Sequence, residues 1–274
     1  MRRRSAARRR LPSSRTTKNK RSFSSTIEIV MQIVHRCNYE PALATRLEQA
    51  HGHNMNNKMK KMSVMKVGFI GAGNVTTTIG RHLINAGRTI VVSNSRGPET
   101  LGQFVAELGP GAVAGTKQQA AECDIVILAT KWVNVPEALK GVDWRGRILV
   151  DATNAHMDSK AHPSLADVTR SRAALKARTS SEMVAEMAPG ARLVKSISNM
   201  PMEWIHDFSP NKPRTVIFTS GNDTEAKQSV IELINSTGLV AIDLGPLRTG
   251  GAMQELGAPL SGIEFHFVQR LHRR

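Results

Sequence analysis

From residue 67 onward the chain alternates short apolar runs with polar or helix-spaced stretches. The runs at 67–70 (VGFI), 89–92 (TIVV), 124–129 (DIVILA) and 147–151 (RILVD) are too short for helices and almost continuously apolar. That pattern predicts strands buried on both faces. Further strands are predicted at 112–114, 192–197, 215–219 and 239–243. Residues 99–108 have apolar side chains at 101, 104, 105 and 108, the spacing of a helix with one buried face, and Pro98 suits a first helical position. Other helices are expected near 74–86, 117–122 and 136–140, from an N-cap serine at Ser180 to the Pro189-Gly190 break, and at 224–235. Residues 155–178 show no clear period and read as a loop with helical pieces. Gly245-Pro246-Leu247 reads as a turn into a helical segment that runs to Arg274. Nothing repeats internally.

Strands alternating with helices predict an α/β fold, a doubly wound parallel sheet with right-handed crossovers. Ligands of such sheets sit at the carboxyl ends of the strands. Four tips then carry the candidate chemistry: Gly71 to Val75, Ser93 to Arg96, Ala129 to Trp132 and Asp151 to Asn154.

The first two tips belong together. Gly71-Ala72-Gly73-Asn74-Val75-Thr76 follows a buried strand and opens a helix. Its glycines allow a sharp turn and a close approach to a diphosphate, at which the helix would aim its free amides and positive dipole end. Thr76 stands where the GxGxxG pattern has its third glycine, which questions the tightness of helix-to-strand packing more than the phosphate contact. About twenty residues on, a dinucleotide fold selects NAD with Asp or Glu. Here the sequence is Ser93-Asn94-Ser95-Arg96, with no carboxylate. An acid would repel a 2′-phosphate, whereas a guanidinium fork and hydroxyls would bind it. The stretch reads as an NADP(H) site.

Composition changes little except at the N-terminus. The formal net charge is +16, yet residues 1–61 hold 15 Lys/Arg against 3 Asp/Glu, leaving 23 against 19 in the remainder. The excess is therefore a tail, read as a mostly disordered basic extension. It is a nucleic-acid-binding arm, a mitochondrial presequence with Arg21-Ser22-Phe23-Ser24-Ser25 as a processing site, or an over-called reading frame upstream of Met62 or Met65. The last is favoured, since such folds begin close to their first strand, and nucleic acid is not the expected partner. Two cysteines, Cys37 and Cys123, give no disulfide framework, so a reducing, cytoplasmic setting is expected, or the mitochondrial matrix if residues 1–23 are a presequence. No apolar run reaches the roughly 18 residues of a membrane span, so no membrane partner is expected.

Several motifs, taken in order, resemble a known family. VGFIGAGNV, VVSNSRGPETL, ILATKW, ILVDATN, SSEMVAEMAPGARLVKS, GNDTEAKQ and DLGPLRTGGAMQ are similar to the NADP oxidoreductase, coenzyme F-420-dependent family, the deazaflavin:NADPH oxidoreductase-like group. The resemblance spans about residues 65–270. It implies a Rossmann domain (62–200), a small α/β C-terminal part (201–274) that covers the substrate, and a homodimer. The implied activity is hydride transfer between NADP(H) and a deazaflavin, flavin or related small-molecule acceptor. Carried across, Gly71, Gly73, Asn74 and Val75 cradle the diphosphate, and Ser93, Asn94, Ser95 and Arg96 take the 2′-phosphate. Ala129, Thr130 and Trp132 match the loop beside the nicotinamide ribose, while Asp151, Ala152, Thr153 and Asn154 match the tip nearest the nicotinamide. Ser198, Asn199, Met200 and Pro201 stand where the family has Asn-Thr-Met-Pro in the acceptor pocket.

Such chemistry needs no protein nucleophile and no metal, because the cofactor carries it. No catalytic side chain is therefore assigned. His51 and His53 lack further ligands, His82 is expected on the helix surface, and Cys123 reads as a buried small hydrophobe. Lys131 and Lys195 are read as solvated, Asp151 as a possible strand-closing residue, and Met183 with Met187 as core. Two alternatives stay open: an imine or ketone reductase of the pyrroline-carboxylate reductase type, and a redox sensor that binds NADP(H) without turnover.

Overall fold

The computed structural model describes residues 65–156, 164–205 and 213–268. The predicted elements form, with changes at three places. The strands are β1 (Val67–Ile70), β2 (Ile90–Ser93), β3 (Ala112–Ala114), β4 (Ile125–Leu128), β5 (Ile148–Asp151), β6 (Arg192–Ser196), β7 (Arg214–Gly221), β8 (Val240–Asp243) and β9 (His266–Phe267). The helices that position the site are α1 (Asn74–Asn85), α2 (Gly102–Leu108), α3 (Lys117–Ala121), α4 (Val135–Leu139), α5 (Leu165–Ala174), α6 (Ser180–Met187) and α7 (Thr224–Ser236).

The strands lie in the order β3-β2-β1-β4-β5-β6-β7-β8. From β3 to β6 all neighbours are parallel, in register Val67 with Ile90 and Ile125, and Ile125 with Ile148. The all-parallel expectation fails at β7, which runs antiparallel to β6 and carries β8 parallel to itself. A parallel neighbour needs a crossover, usually a helix. Among the described residues the link from β6 to β7 holds only the one-turn 3-10 helix Met202–Trp204, so the strand returns reversed. An apolar run predicts a strand but not its direction. Residues after 200 thus extend the same sheet instead of starting another.

Alternate side chains face opposite sides, as pleating requires. Phe69, Ile127, Val150 and Val194 pack with Ile79, Leu83, Val230 and Leu233 on one face. Ile70, Val126, Leu128, Leu149 and Leu193 pack with Val135, Leu139, Trp144 and Val184 on the other. Each such side chain fully buried contributes about 1.5–3 kcal/mol, so the strands are fixed from both sides and their tips are rigid mounts.

Two other expectations change. The cap of α6 is Thr179, whose side chain accepts from the Glu182 amide in a reciprocal capping box; a Thr with Glu three residues on outcompetes the Ser beside it, and Ser180 is freed for another use. The C-terminal helical segment ends early: a π-turn at Leu247–Gly251 continues only through Gln254, and β9 then pairs with β7. Gly257 and Gly262, both with positive φ, break any helix there. Residues 269–274, His162 and the basic extension with Cys37, His51 and His53 lie outside the described residues.

Candidate functional site

The β1–α1 turn is locked from below and open above. Gly71 has φ 125°, and a Cβ there would stand 2.1 Å from the Ala129 carbonyl oxygen. Its amide donates to the Ser93 carbonyl at 2.9 Å, and the Ala129 amide donates to the Ile70 carbonyl at 2.9 Å. The turn therefore joins the ends of β1, β2 and β4. Gly73 is different: it is extended, with φ −120° and ψ −163°, and a Cβ there would meet nothing within 4 Å. Neither its conformation nor the protein's own packing calls for glycine. A ligand passing close to the backbone would.

Above Gly73 begins α1, with no side-chain cap and no acid in its first turn. Its leading amides and positive dipole end are thus left for an anion. Thr76, in the third-glycine position, is fully buried and donates its hydroxyl to the Gly71 carbonyl at 2.7 Å. The departure from the motif leaves helix-to-strand packing tight and ties the turn to its own helix.

At the β2 tip the four predicted residues divide. Ser93 is buried and donates its hydroxyl to the Phe69 carbonyl at 2.9 Å. Asn94 shapes the loop: its Oδ1 accepts from the Arg96 amide and its Nδ2 donates to Thr100 Oγ1, both at 2.9 Å. Ser95 and Arg96 remain exposed. Glu99, the nearest acid in sequence, holds its carboxylate against Gly97. At the β4 tip Ala129 and Thr130 are half-buried, Lys131 is exposed, and Trp132 starts a 3-10 turn and packs on the second core cluster.

The β5 and β6 ends are built from buried polar groups. Asp151 and Lys195 are both 0% exposed and lie 3.6 Å apart. Asp151 Oδ1 accepts from the Thr153 amide at 2.9 Å and from its hydroxyl at 2.6 Å, while Oδ2 accepts from Ser181 Oγ at 2.5 Å. Lys195 Nζ donates to the Thr153 carbonyl at 2.9 Å and to Ser180 Oγ at 3.3 Å. Ser180 in turn donates from N and Oγ to Glu255 Oε1, each at 2.8 Å. Sequence reasoning placed Lys195 in solvent, read Ser180 as a helix cap and passed over Ser181 and Glu255. A lysine inside the apolar run Arg192–Ser196 was the one available signal.

Beyond these strands sit the four residues matched to the acceptor pocket. Ile197, buried, has φ 60°, a conformation costly for a β-branched residue. Asn154 Nδ2 donates to the Ser198 carbonyl at 2.8 Å. Asn154 Oδ1, Ser198 Oγ and both side-chain polar atoms of Asn199 are buried without a hydrogen-bond partner among the described residues. Met200 is buried and Pro201 half-buried. Buried polar atoms are almost always paired, so four unpaired ones at adjoining strand ends call for a ligand.

Residues outside these tips read as follows. His82 is not on the surface: it is 3% exposed in the last turn of α1. Burial pushes the Cys123 thiol up to about 11, which keeps it protonated and unreactive. Met183 and Met187 are half-buried. Among the described residues no cluster of three or more His, Cys, Asp or Glu could hold a metal, and no helix is long and apolar enough to cross a membrane.

Residues 66–155, which run from β1 past the β5 tip, match the family described as NADP oxidoreductase, coenzyme F420-dependent. These residues belong to this family. The matched segment holds the β1–α1 turn, the uncapped helix start and the acid-free second tip. A crystal structure of a hypothetical protein, SMa0349, from Sinorhizobium meliloti is 30% identical, with a TM-score of 0.67, over 77% of this chain and all of that one. Human metalloreductase STEAP2 is 25% identical over 206 residues, covering 73% of this chain and 37% of the relative. Rat metalloreductase STEAP3 is 23% identical over 194 residues, covering 70% and 36%. The chain therefore spans little more than a third of the length of these curated relatives.

Proposed function

We propose that the chain transfers a hydride between NADP(H) and a flavin- or deazaflavin-like acceptor. The observation that carries the cofactor half is Gly73. A side chain there would touch none of the described residues, yet it lies at the start of an uncapped helix, where a diphosphate binds in this fold. Arg96 and Ser95 then supply the exposed donors for a 2′-phosphate, held in place by the Asn94 turn. Ser93 acts behind them, bracing β2 against β1.

The acceptor half is supported by Asn154, Ser198 and Asn199. Their unpaired atoms are neutral donors and acceptors, suited to the carbonyl and N–H edge of a flat heterocycle and unsuited to an anion. Bound at these tips, the nicotinamide would supply the hydride itself. The chain's contribution is alignment and exclusion of water, worth roughly 7–11 kcal/mol of barrier when two reactants are well oriented.

Two measurements test the reading. In fluorescence titration, wild type should bind NADPH more tightly than NADH, and Arg96→Ala should weaken NADPH about 10- to 100-fold, the range for a charged hydrogen bond, with NADH nearly unchanged. Equal losses for both nucleotides would count against a 2′-phosphate site. Stopped-flow mixing of the NADPH complex with flavin, deazaflavin and ferric chelates, the last because the matched relatives are metalloreductases, should then show oxidation by a ring acceptor. A complex that no acceptor oxidises points to a sensor.

A further inference from the structure

The Asp151–Lys195 pair has no evident reason to exist for stability. Two charges taken wholly out of water are costly, and apolar side chains of similar volume often do as well or better. What apolar side chains cannot do is grip backbone. Here every polar group of one residue, Thr153, is held by the pair: N–H and hydroxyl by Asp151, carbonyl by Lys195. The remaining contacts of the two charges face inward as well, to Ser181, to Ser180 and to each other. Both side chains are 0% exposed and already bonded on every charged atom, so the pair is bonded within the protein.

The residue after Thr153 is the one that matters to a ligand. Asn154 bonds the Ser198 carbonyl with its Nδ2 and leaves Oδ1 buried and unpaired. We infer that Asp151 and Lys195 are positioning residues that hold the β5 tip at Thr153, so that Asn154 meets the nicotinamide end of the cofactor. This rests on the NADP(H) reading above. Ser181 fixes one arm of the clamp and Ser180, itself anchored by Glu255, steadies the other. The clamp therefore gathers α6, β6 and the segment after the π-turn around a single loop residue.

The test uses two ligands of the full-length chain: NADPH, and adenosine 2′,5′-bisphosphate, which has the adenine and 2′-phosphate but no nicotinamide. Binding of each is measured by calorimetry for wild type, Lys195→Met and Thr153→Val. Both variants should weaken NADPH about five- to tenfold, the size of one neutral hydrogen bond, and leave the bisphosphate within about twofold. General damage to the fold would lower both affinities together, and that result overturns the clamp, as does an unchanged NADPH affinity. Should Lys195→Met fail to fold, Thr153→Val, nearly the same shape, decides in the same sense. A wild-type chain that binds neither ligand overturns the cofactor reading, and this inference with it. Binding of both by wild type with parallel losses in the variants overturns the inference alone.

Discussion

The two ends of the candidate site are made of opposite materials. At the β1 and β2 tips the work is done by backbone: a left-handed glycine, a glycine with empty space above it, bare helix amides and an exposed arginine loop. At the β5 and β6 tips it is done by side chains, most of them buried and two of them a buried charged pair. The first end suits an anion that must be met by N–H groups at close range. The second suits a neutral ring, which offers little to hold and must find its partners already in place. Polar backbone can be exposed for a phosphate at small cost, whereas preorganised neutral donors have to be fixed by a buried frame.

Substitutions can break this contrast or sharpen it. The largest effect is expected at Gly71→Ala, where the new methyl would overlap the Ala129 carbonyl and φ is 125°. On the order of 3 kcal/mol or more of unfolding free energy should disappear, measured by urea denaturation. A near-native midpoint would show that the turn is not locked. Gly73→Ala should do the reverse. Stability should stay within about 0.5 kcal/mol, because a Cβ there meets nothing, while NADPH affinity falls at least about tenfold, the price of one displaced phosphate contact. If NADPH binds Gly73→Ala as it does wild type, the empty space is not the diphosphate path.

The smallest effect lies away from both ends. Asp223 caps α7 through the Ala226 amide and pairs with Arg192 at 2.8 Å. Hydrogen bonds from Arg192 hold its carboxyl well below the usual carboxylate range. A lowered folded-state value means that this stabilisation is complete above the unfolded value near pH 4 and is lost as pH falls below it. Because the pair is partly exposed, Asp223→Asn should cost only about 1 kcal/mol at pH 7 and flatten the acid side of the melting-temperature profile. An unaltered acid slope would remove Asp223 as its source.

The same contrast governs what could be read from residue order. The glycine turn, the acid-free second tip and the strands from β1 to β6 are local: a few adjacent residues carry the whole signal, and each stood where expected. The reversal at β7 was hidden because apolar runs carry no direction. The Asp151–Lys195 frame was hidden because the bonds that tie its elements together join residues 15 to 75 positions apart, and nothing in the chain marks which hydroxyl answers which charge. His82 misled for a related reason, since helical period gives the buried face only when the helix meets a core on one side. Thr76 is the instructive middle case: it breaks the glycine pattern, yet its hydroxyl restores locally what the missing glycine would have allowed.

A dry ion pair also shapes how a lineage can wander. Deleting either partner alone strands a bare charge in the interior and removes about 3–5 kcal/mol, much of the margin by which an ordinary domain survives. Asp151 and Lys195 should therefore drift only in tandem, swapped together or kept together across descendants, while a single change in the exposed loop around Arg96 costs cofactor selectivity and little stability.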